Sequence, residues 1–209
     1  MTSSTPAEPT QREGRLDNPF TDQKPGTSGL RKSSKQFEQP NYLESFIEAA
    51  LRTLPGTEGG TLIVGGAGRY GNIRAIDVIL RMAAAHGLGK VIVTTGGILS
   101  TPAASHLIRS KKAIGGVILS ASHNPGGPDG DFGVKVNGAN GGPTPASYTD
   151  AVFECTKTLS HYSIVDATPI SLEGPGQHSI GAMSVDVIDG VDDFVALMQQ
   201  LVNFGEIRA

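Results

Sequence analysis

The sequence predicts an α/β domain of three layers, with a mixed, mostly parallel sheet of about four strands between two sets of helices. Three observations carry this reading. Short apolar runs at Thr61–Val64, Lys90–Thr94 and Gly116–Ser120 each lead into a loop, two of them rich in glycine at once and the third a few residues on. Segments between them repeat apolar residues at helical spacing. Strands apolar along their whole length, alternating with helices, suit a parallel sheet buried on both faces.

The elements follow in chain order. Residues 1–19 are rich in Ser, Thr, Pro and charge, have little to bury, and are expected to be a disordered tail. Glu8, Glu13 and Asp17 argue against a mitochondrial presequence. Residues 20–209 are taken as one domain. Lys24 to Lys32 reads as a glycine-punctuated loop ending in two cations, Arg31 and Lys32. Leu43, Phe46, Ile47, Ala50, Leu51 and Leu54 mark a helix for which Asn41 would be the N-cap, ended by Pro55-Gly56. The first strand, Thr61–Val64, runs into Gly65-Gly66-Ala67-Gly68-Arg69, and a helix from about Asn72 to Ala85 follows, closed by His86-Gly87. The second strand leads to Gly96-Gly97, and Pro102 suits the first turn of a helix reaching about Arg109. The third strand ends at Ala121-Ser122. Asp131 to Asn137 alternates weakly and is read as a fourth strand, with helices expected at 147–159 and 191–203. In such a sheet, ligands meet the loops beyond the strand carboxyl ends.

Bulk properties narrow the function classes. The chain has 209 residues, enough for a substantial core, and a formal net charge of −3. That charge gives no electrostatic reason to expect nucleic acid or an anionic membrane as partner. No apolar run approaches a membrane span, and no signal-peptide core opens the chain. The one cysteine, Cys155, cannot pair within the chain, which suits a reducing, cytoplasmic setting. A monomer is expected. Neither a dinucleotide fingerprint nor a nucleotide-phosphate loop is present, since Gly65-Gly66-Ala67-Gly68 lacks both spacing and the Lys-Ser/Thr pair.

The densest chemistry lies in Ser120-Ala121-Ser122-His123-Asn124-Pro125-Gly126-Gly127-Pro128-Asp129-Gly130-Asp131-Phe132-Gly133-Val134-Lys135-Val136-Asn137. Ser122, just past a buried strand, is held by a rigid element and aimed at the ligand edge. His123 brings a titratable donor and Asn124 an amide. Pro125 fixes the turn, Gly126-Gly127 allow backbone to approach an anion, and Lys135 returns on the next strand within reach of a phosphate. A serine nucleophile needs such help from bases and cations. Taken singly, the Ser-His pair is a solvated turn and Lys135, Arg31 and Lys32 are surface cations. The residues alone support an α/β domain that binds a phosphate ester, and no more.

The stretch as a whole resembles the active-site serine segment of the α-D-phosphohexomutases, whose signature is Thr/Ser-Ala-Ser-His-Asn-Pro. Its continuation through Gly-Gly-Pro and Asp-Phe-Gly to Lys135 is typical of the phosphoglucomutase branch. Asp22 to Lys32, Gly96 to Ala103 and Lys112 to Gly116 agree with that branch, and the resemblance runs from about Phe20 onward, weakening after Pro145. The resemblance implies that Ser122 carries a phosphate in the resting enzyme and, through it, contacts Mg²⁺. It makes His123 and Lys135 acid/base and electrostatic partners, and puts Arg31, Thr27, Ser28 and Asn124 along the hexose phosphate cleft. It further implies interconversion of glucose 1-phosphate and glucose 6-phosphate by way of glucose 1,6-bisphosphate, which also serves as activator.

Three departures temper this. The family holds Mg²⁺ with an Asp-Gly-Asp-Gly-Asp loop, which this chain lacks. Asp129-Gly130-Asp131 belongs to the serine segment, and Asp186, Asp189, Asp192 and Asp193 read as a solvated helix start. The sugar-selecting and C-terminal phosphate loops are missing too, so the chain is expected to be the N-terminal part of a longer enzyme and inactive alone. Finally, the family pattern Gly-Gly-Asp-Gly-Arg here has Ala67 in place of the acid. A catalytically silent binding relative, or a mutase for another hexose phosphate, stays open as an alternative.

Overall fold

The computed structural model describes residues 10–208. The chain opens with strand β1 (Thr10–Arg15), followed by β2 (Leu30–Ser33), the single turn α1 (Ser34–Phe37) and helix α2 (Tyr42–Thr53). Then come β3 (Thr61–Gly66), α3 (Asn72–Ala85), β4 (Lys90–Ile98), α4 (Thr101–Ser110), β5 (Gly115–Leu119) and β6 (Asp131–Gly138). The last part holds α5 (Ala146–Thr156), β7 (His161–Asp166), the hairpin β8 (Gly176–Ile180) and β9 (Met183–Ile188), α6 (Asp192–Leu201) and a short α7 (Phe204–Ile207).

Seven strands form the main sheet in the order β2-β6-β5-β3-β4-β9-β8. The centre is parallel: β3 pairs with β4 and β5, and β4 with β9. The flanks are antiparallel, β5 with β6, β6 with β2 and β9 with β8. The α/β class and mixed sheet agree with the sequence reading, but the sheet is wider than the four strands expected.

Residue alternation along the strands splits the core into two. Leu62, Val64, Val91, Val93, Val117 and Leu119 face α2 and α3 in the larger cluster. Ile63, Ile92 and Ile118 face the other way, against Ala103, Ala104, Leu107 and Ile108 of α4. Leu107 and Ile108 are essentially solvent-free. Each such side chain contributes about 1.5–3 kcal/mol relative to an exposed one. The sheet therefore lies between two helix layers, as its apolar strands require. Helix α4 starts where the sequence indicates: Ser100 Oγ accepts from the Ala103 amide at 3.3 Å, with Pro102 in the first turn.

Several segments differ from expectation for identifiable reasons. Residues 10–15, assigned to a disordered tail, pair with β7 as a two-stranded ribbon. Arg12 Nε meets Asp166 at 2.7 Å, and Leu16 just beyond is buried. Backbone pairing and polar side-chain contacts hold this ribbon, so its exposed side chains carry no hydrophobic signal. Residues 1–9 of that tail lie outside the described residues. Arg31 and Lys32, placed in a loop, belong to β2. Asn41 precedes α2 but does not cap it with its side chain; its φ is 65°. That side chain instead accepts from the Tyr162 hydroxyl at 3.0 Å and donates to the Arg15 carbonyl at 3.5 Å, tying the ribbon to α2.

Candidate functional site

The carboxyl ends of β3, β4, β5 and β9 fall on one edge of the sheet, and the strand β6 starts there. The Ala67 amide, just past β3, donates to the Leu119 carbonyl at the end of β5 at 2.9 Å. This joins the loop of residues 65–69 to the serine loop that begins at Ser120. On the neighbouring strand the register sets Arg31 of β2 opposite Gly133 of β6 and Lys135 of β6 opposite Ile118 of β5.

The serine loop is held at many points. The Ser120 amide donates to the Gly133 carbonyl at 2.9 Å, the Asp131 amide to the Pro125 carbonyl at 2.8 Å and the Asn124 amide to the Ala121 carbonyl at 3.2 Å. From the start of α1, Ser34 donates its amide to the Gly130 carbonyl and its hydroxyl to the Gly127 carbonyl, both at 2.8 Å. Asn124 Nδ2 donates to Asp131 Oδ2 at 2.7 Å. At the apex Ser122 is exposed and has a φ of 59°, in the left-handed region. That conformation costs a non-glycine residue about 1–2 kcal/mol. Its hydroxyl lies 3.3 Å from His123 Nδ1, and both side chains stand at the surface.

The cations occupy the adjoining face. Gly133 pairs with Arg31 and lies two residues from Lys135, so alternation puts Arg31 and Lys135 on the same face of the sheet. That is the face of Ile118, where α4 packs farther along. Burial pushes the Lys135 ammonium below its ordinary value, and the nearby charge of Arg31 pushes it further the same way. Arg31 Nε is buried and meets no acceptor among the described residues. Two half-buried cations that repel each other, one with an unused donor, make a place where an anion would be stabilised.

Thr27 and Ser28 form the exposed tip of a tight turn closed by Gly26 and Gly29, whose amides and carbonyls exchange bonds of 3.2 and 2.9 Å. Gly29 has a φ of 85°, and a Cβ there would lie 2.3 Å from the Val134 carbonyl, so the turn presses on β6. No hydrogen bond among the described residues ties Thr27 or Ser28 to Ser122. The structure thus joins Ser122, His123 and Asn124 in one loop and sets Arg31 and Lys135 on the next strands.

A metal set is not found around this loop. Among the described residues no three carboxylates, histidines or thiols gather as a cation site. Asp129 pairs with Lys35 at 2.6 Å, and Asp131 accepts from Asn124. Asp186 and Asp193 also have partners, Lys90 at 2.9 Å and Lys111 at 2.7 Å, while Asp189 accepts from the Val191 amide at 2.7 Å. Asp192 and Asp193 stand in the first turn of α6, and Asp186 lies in β9. The described side chains do not fit Mg²⁺ on their own.

Sequence reasoning missed two residues. Arg69 donates from Nη2 to the Ser122 carbonyl at 2.6 Å and from Nη1 to the Asp131 carbonyl at 3.2 Å, while its Nε is buried with no acceptor. Ser120 Oγ accepts from the Ser122 amide at 3.1 Å. The available signals were that the loop ending in Arg69 leaves a strand at the same edge and that Arg69 closes the family pattern Gly-Gly-Asp-Gly-Arg.

Residues 22–163 match the family described as phosphoglucomutase/phosphomannomutase, alpha/beta/alpha domain I. A phosphoglucomutase of Rhizobium radiobacter is 54% identical over 191 residues, and one of Schizosaccharomyces pombe is 50% identical over 192. Each alignment takes in 91% of this chain but 35% of the relative, so the chain spans about a third of the length of these curated relatives. Among solved structures, the exocytosis-sensitive phosphoprotein pp63/parafusin, a phosphoglucomutase from Paramecium in its open form, superposes with a TM-score of 0.89 at 40% identity. That match covers 93% of this chain and 37% of the other. The chain belongs to the phosphoglucomutase/phosphomannomutase family.

Proposed function

We propose that this chain supplies the phosphoserine half of a phosphoglucomutase that interconverts glucose 1-phosphate and glucose 6-phosphate. The observation that carries the reading is the strained Ser122, with His123 at 3.3 Å, on the sheet edge whose next strands carry the lowered Lys135 and an Arg31 Nε that meets no acceptor among the described residues. The names of the relatives support the reaction class.

In this reading Ser122 carries a phosphoryl group. A hydroxyl of the bound hexose monophosphate attacks phosphorus, forming a new O–P bond as the Ser122 Oγ–P bond breaks. The proton that the attacking hydroxyl gives up ends on the departing serine oxygen, and His123 Nδ1, in reach of that oxygen, relays it. The bisphosphate turns over, and its other phosphate returns to Ser122 by the reverse step. Arg31 and Lys135 stabilise charge on the transferring group, and they do so in place, with little reorganisation. Asn124, held by Asp131, stiffens the loop, and Thr27 and Ser28 border the cleft. Mg²⁺ would find one ligand here, the Ser122 phosphate, and no step above is routed through it. Glucose 1,6-bisphosphate serves as the priming donor. A cytoplasmic setting fits the single, half-buried Cys155, and no helix among the described residues is long and apolar enough to cross a membrane.

The test joins this chain to the remaining two thirds of the Rhizobium radiobacter relative and couples glucose 6-phosphate formation to a dehydrogenase. The joined protein should turn over glucose 1-phosphate and take one phosphate at Ser122 from glucose 1,6-bisphosphate. The chain alone should show no appreciable turnover, and Ser122→Ala should abolish both signals. A folded joined protein that never accepts phosphate would instead support a silent binding relative, and labelling that persists in Ser122→Ala would refute the serine assignment.

A further inference from the structure

We propose that Arg69 and Ser120 are positioning residues that clamp the Ser122 peptide from both ends and hold its left-handed conformation. The inference rests on the reading of Ser122 as the phosphoryl acceptor. Serine does not take a φ of 59° without cause, and the loop gives the cause. At the amino end of Ser122, the amide donates to Ser120 Oγ at 3.1 Å. At the carboxyl end, the carbonyl accepts from Arg69 Nη2 at 2.6 Å. Both groups are anchored. Ser120 donates its own amide to Gly133 at 2.9 Å, so its hydroxyl rides on the β5–β6 ladder. Arg69 spends its second terminal nitrogen on the Asp131 carbonyl at 3.2 Å, the first residue of β6.

The guanidinium thus bridges the apex of the loop and its return strand. A planar fork with two terminal donors reaches two separate carbonyls in fixed directions, whereas a lysine ammonium would have to reach both from one nitrogen. The clamp turns the Ser122 hydroxyl outward beside His123 instead of letting the peptide relax to extended backbone. Both side chains bond the Ser122 main chain and neither bonds its hydroxyl, so each acts through the backbone. The same arrangement accounts for the arginine standing directly after Gly68 in the β3 loop. The glycines there let that loop pass close to β5 and β4: a Cβ on Gly66 would lie 2.2 Å from the Leu119 carbonyl and one on Gly68 2.4 Å from Ile98 Cδ1.

Amide hydrogen exchange and carbonyl ¹³C shifts, measured by NMR on this chain as it stands, test the clamp. Ser120→Ala should speed exchange of the Ser122 amide at least tenfold, whereas Ser120→Thr, which keeps the hydroxyl, should restore the wild-type rate. Arg69→Ala and Arg69→Lys should both shift the Ser122 carbonyl resonance, with exchange of Val64 and Val93 in the core unchanged as the folding control. Where Arg69→Ala fails that control, Arg69→Lys decides. In the joined protein, Ser120→Ala and Arg69→Lys should slow phosphate uptake at Ser122 at least tenfold with the KM for glucose 1-phosphate unmoved. An unchanged Ser122 amide and carbonyl in these variants overturns the clamp. Changed signals with wild-type uptake overturn its positioning role. Should the wild-type joined protein take no phosphate, the phosphoryl-transfer reading fails, and the exchange data still decide whether the clamp exists.

Discussion

Gly133 is the sharpest place to perturb the serine loop without touching its chemistry. A Cβ added there would lie 2.3 Å from the Ser120 carbonyl oxygen, 2.9 Å from its carbon and 3.2 Å from Ala121 Cα. These are backbone atoms, so no rotamer change gives relief, and the two strands must part by roughly 1 Å to reach ordinary contact. Overpacking of this kind costs about 1–3 kcal/mol. The movement also breaks the 2.9 Å bond from the Ser120 amide to the Gly133 carbonyl, worth about 1 kcal/mol. Restricting the unfolded chain gives back about 0.5–1 kcal/mol. Gly133→Ala should therefore destabilise the chain by about 2–3 kcal/mol, a drop in melting temperature of roughly 5–10 °C for a domain of this size. Gly126→Ala is the matched control. Its Cβ would meet only the Arg69 Nη1 atom at 3.4 Å, at a φ outside the left-handed region. It should change stability by less than about 1 kcal/mol. Circular dichroism melts of the three proteins, with exchange at the Ser120 amide, are the assay. A Gly133→Ala chain that melts with wild type and keeps the Ser120 amide protected would refute the argument.

Two further predictions concern titratable groups. Glu48 is buried at 1% side-chain exposure and accepts from Arg52 Nε at 2.6 Å, His86 Nε2 at 2.9 Å and the Ser163 amide at 3.0 Å. Burial pushes its carboxyl up, but the bonds from His86 and Ser163, with the His86 charge and Arg52, outweigh it and hold it below 4.5. Glu48→Ala should cost about 2–3 kcal/mol, discounted because Arg52 can turn to solvent. The wild-type advantage in urea unfolding should be full above pH 4.5 and fade as pH falls through the lower folded value; an advantage that grows with acid contradicts the sign. For Lys135, the lowered value means that the folded chain binds fewer protons than the unfolded one just below 10.5, so stability rises with pH there. Arg31→Ala and added inorganic phosphate should each raise the Lys135 value, read by titrating its ε-carbon resonance, and a titration that neither one moves excludes the shared anion site.

How much of the fold was legible depended on what each element uses for stability. Helix α3 spans Asn72–Ala85 as its apolar spacing indicates, because Ala75, Ile76, Ile79, Leu80, Met82 and Ala83 are all buried in the larger core cluster. The central strands were legible for the same reason: burial on both faces leaves a continuous apolar run. Of the flanks, only β6 was, through the weak alternation of Asp131 to Asn137. β8 has four of its five residues outside the core, and β1 has none within it, so neither leaves an apolar pattern in the sequence. In β9, Met183, Val185 and Val187 do alternate with Ser184 and Asp186 in the two-residue rhythm of a strand. That rhythm becomes informative only beside β4, whose Lys90 pairs with Asp186.

The site divides along the same line. Ser122, His123, Asn124 and Lys135 are readable because their side chains do the proposed work, and their spacing sets them after one strand and on the next. Arg69 and Ser120 are not, because what they bind is main chain, and a carbonyl looks alike at every position. The left-handed Ser122 is invisible for the same reason: nothing in Ala-Ser-His demands a positive φ, and the glycines nearby suggest that they carry the bend. Gly127, at a φ of 102°, does carry one turn of the loop, but the apex falls on the serine itself. A glycine at the apex would be free of strain and would have no hydroxyl to phosphorylate. The chemistry requires a side chain where the backbone favours none, so the strain must be offset from outside the residue. The chain meets that requirement with a hydroxyl two residues upstream and a forked cation from the neighbouring loop.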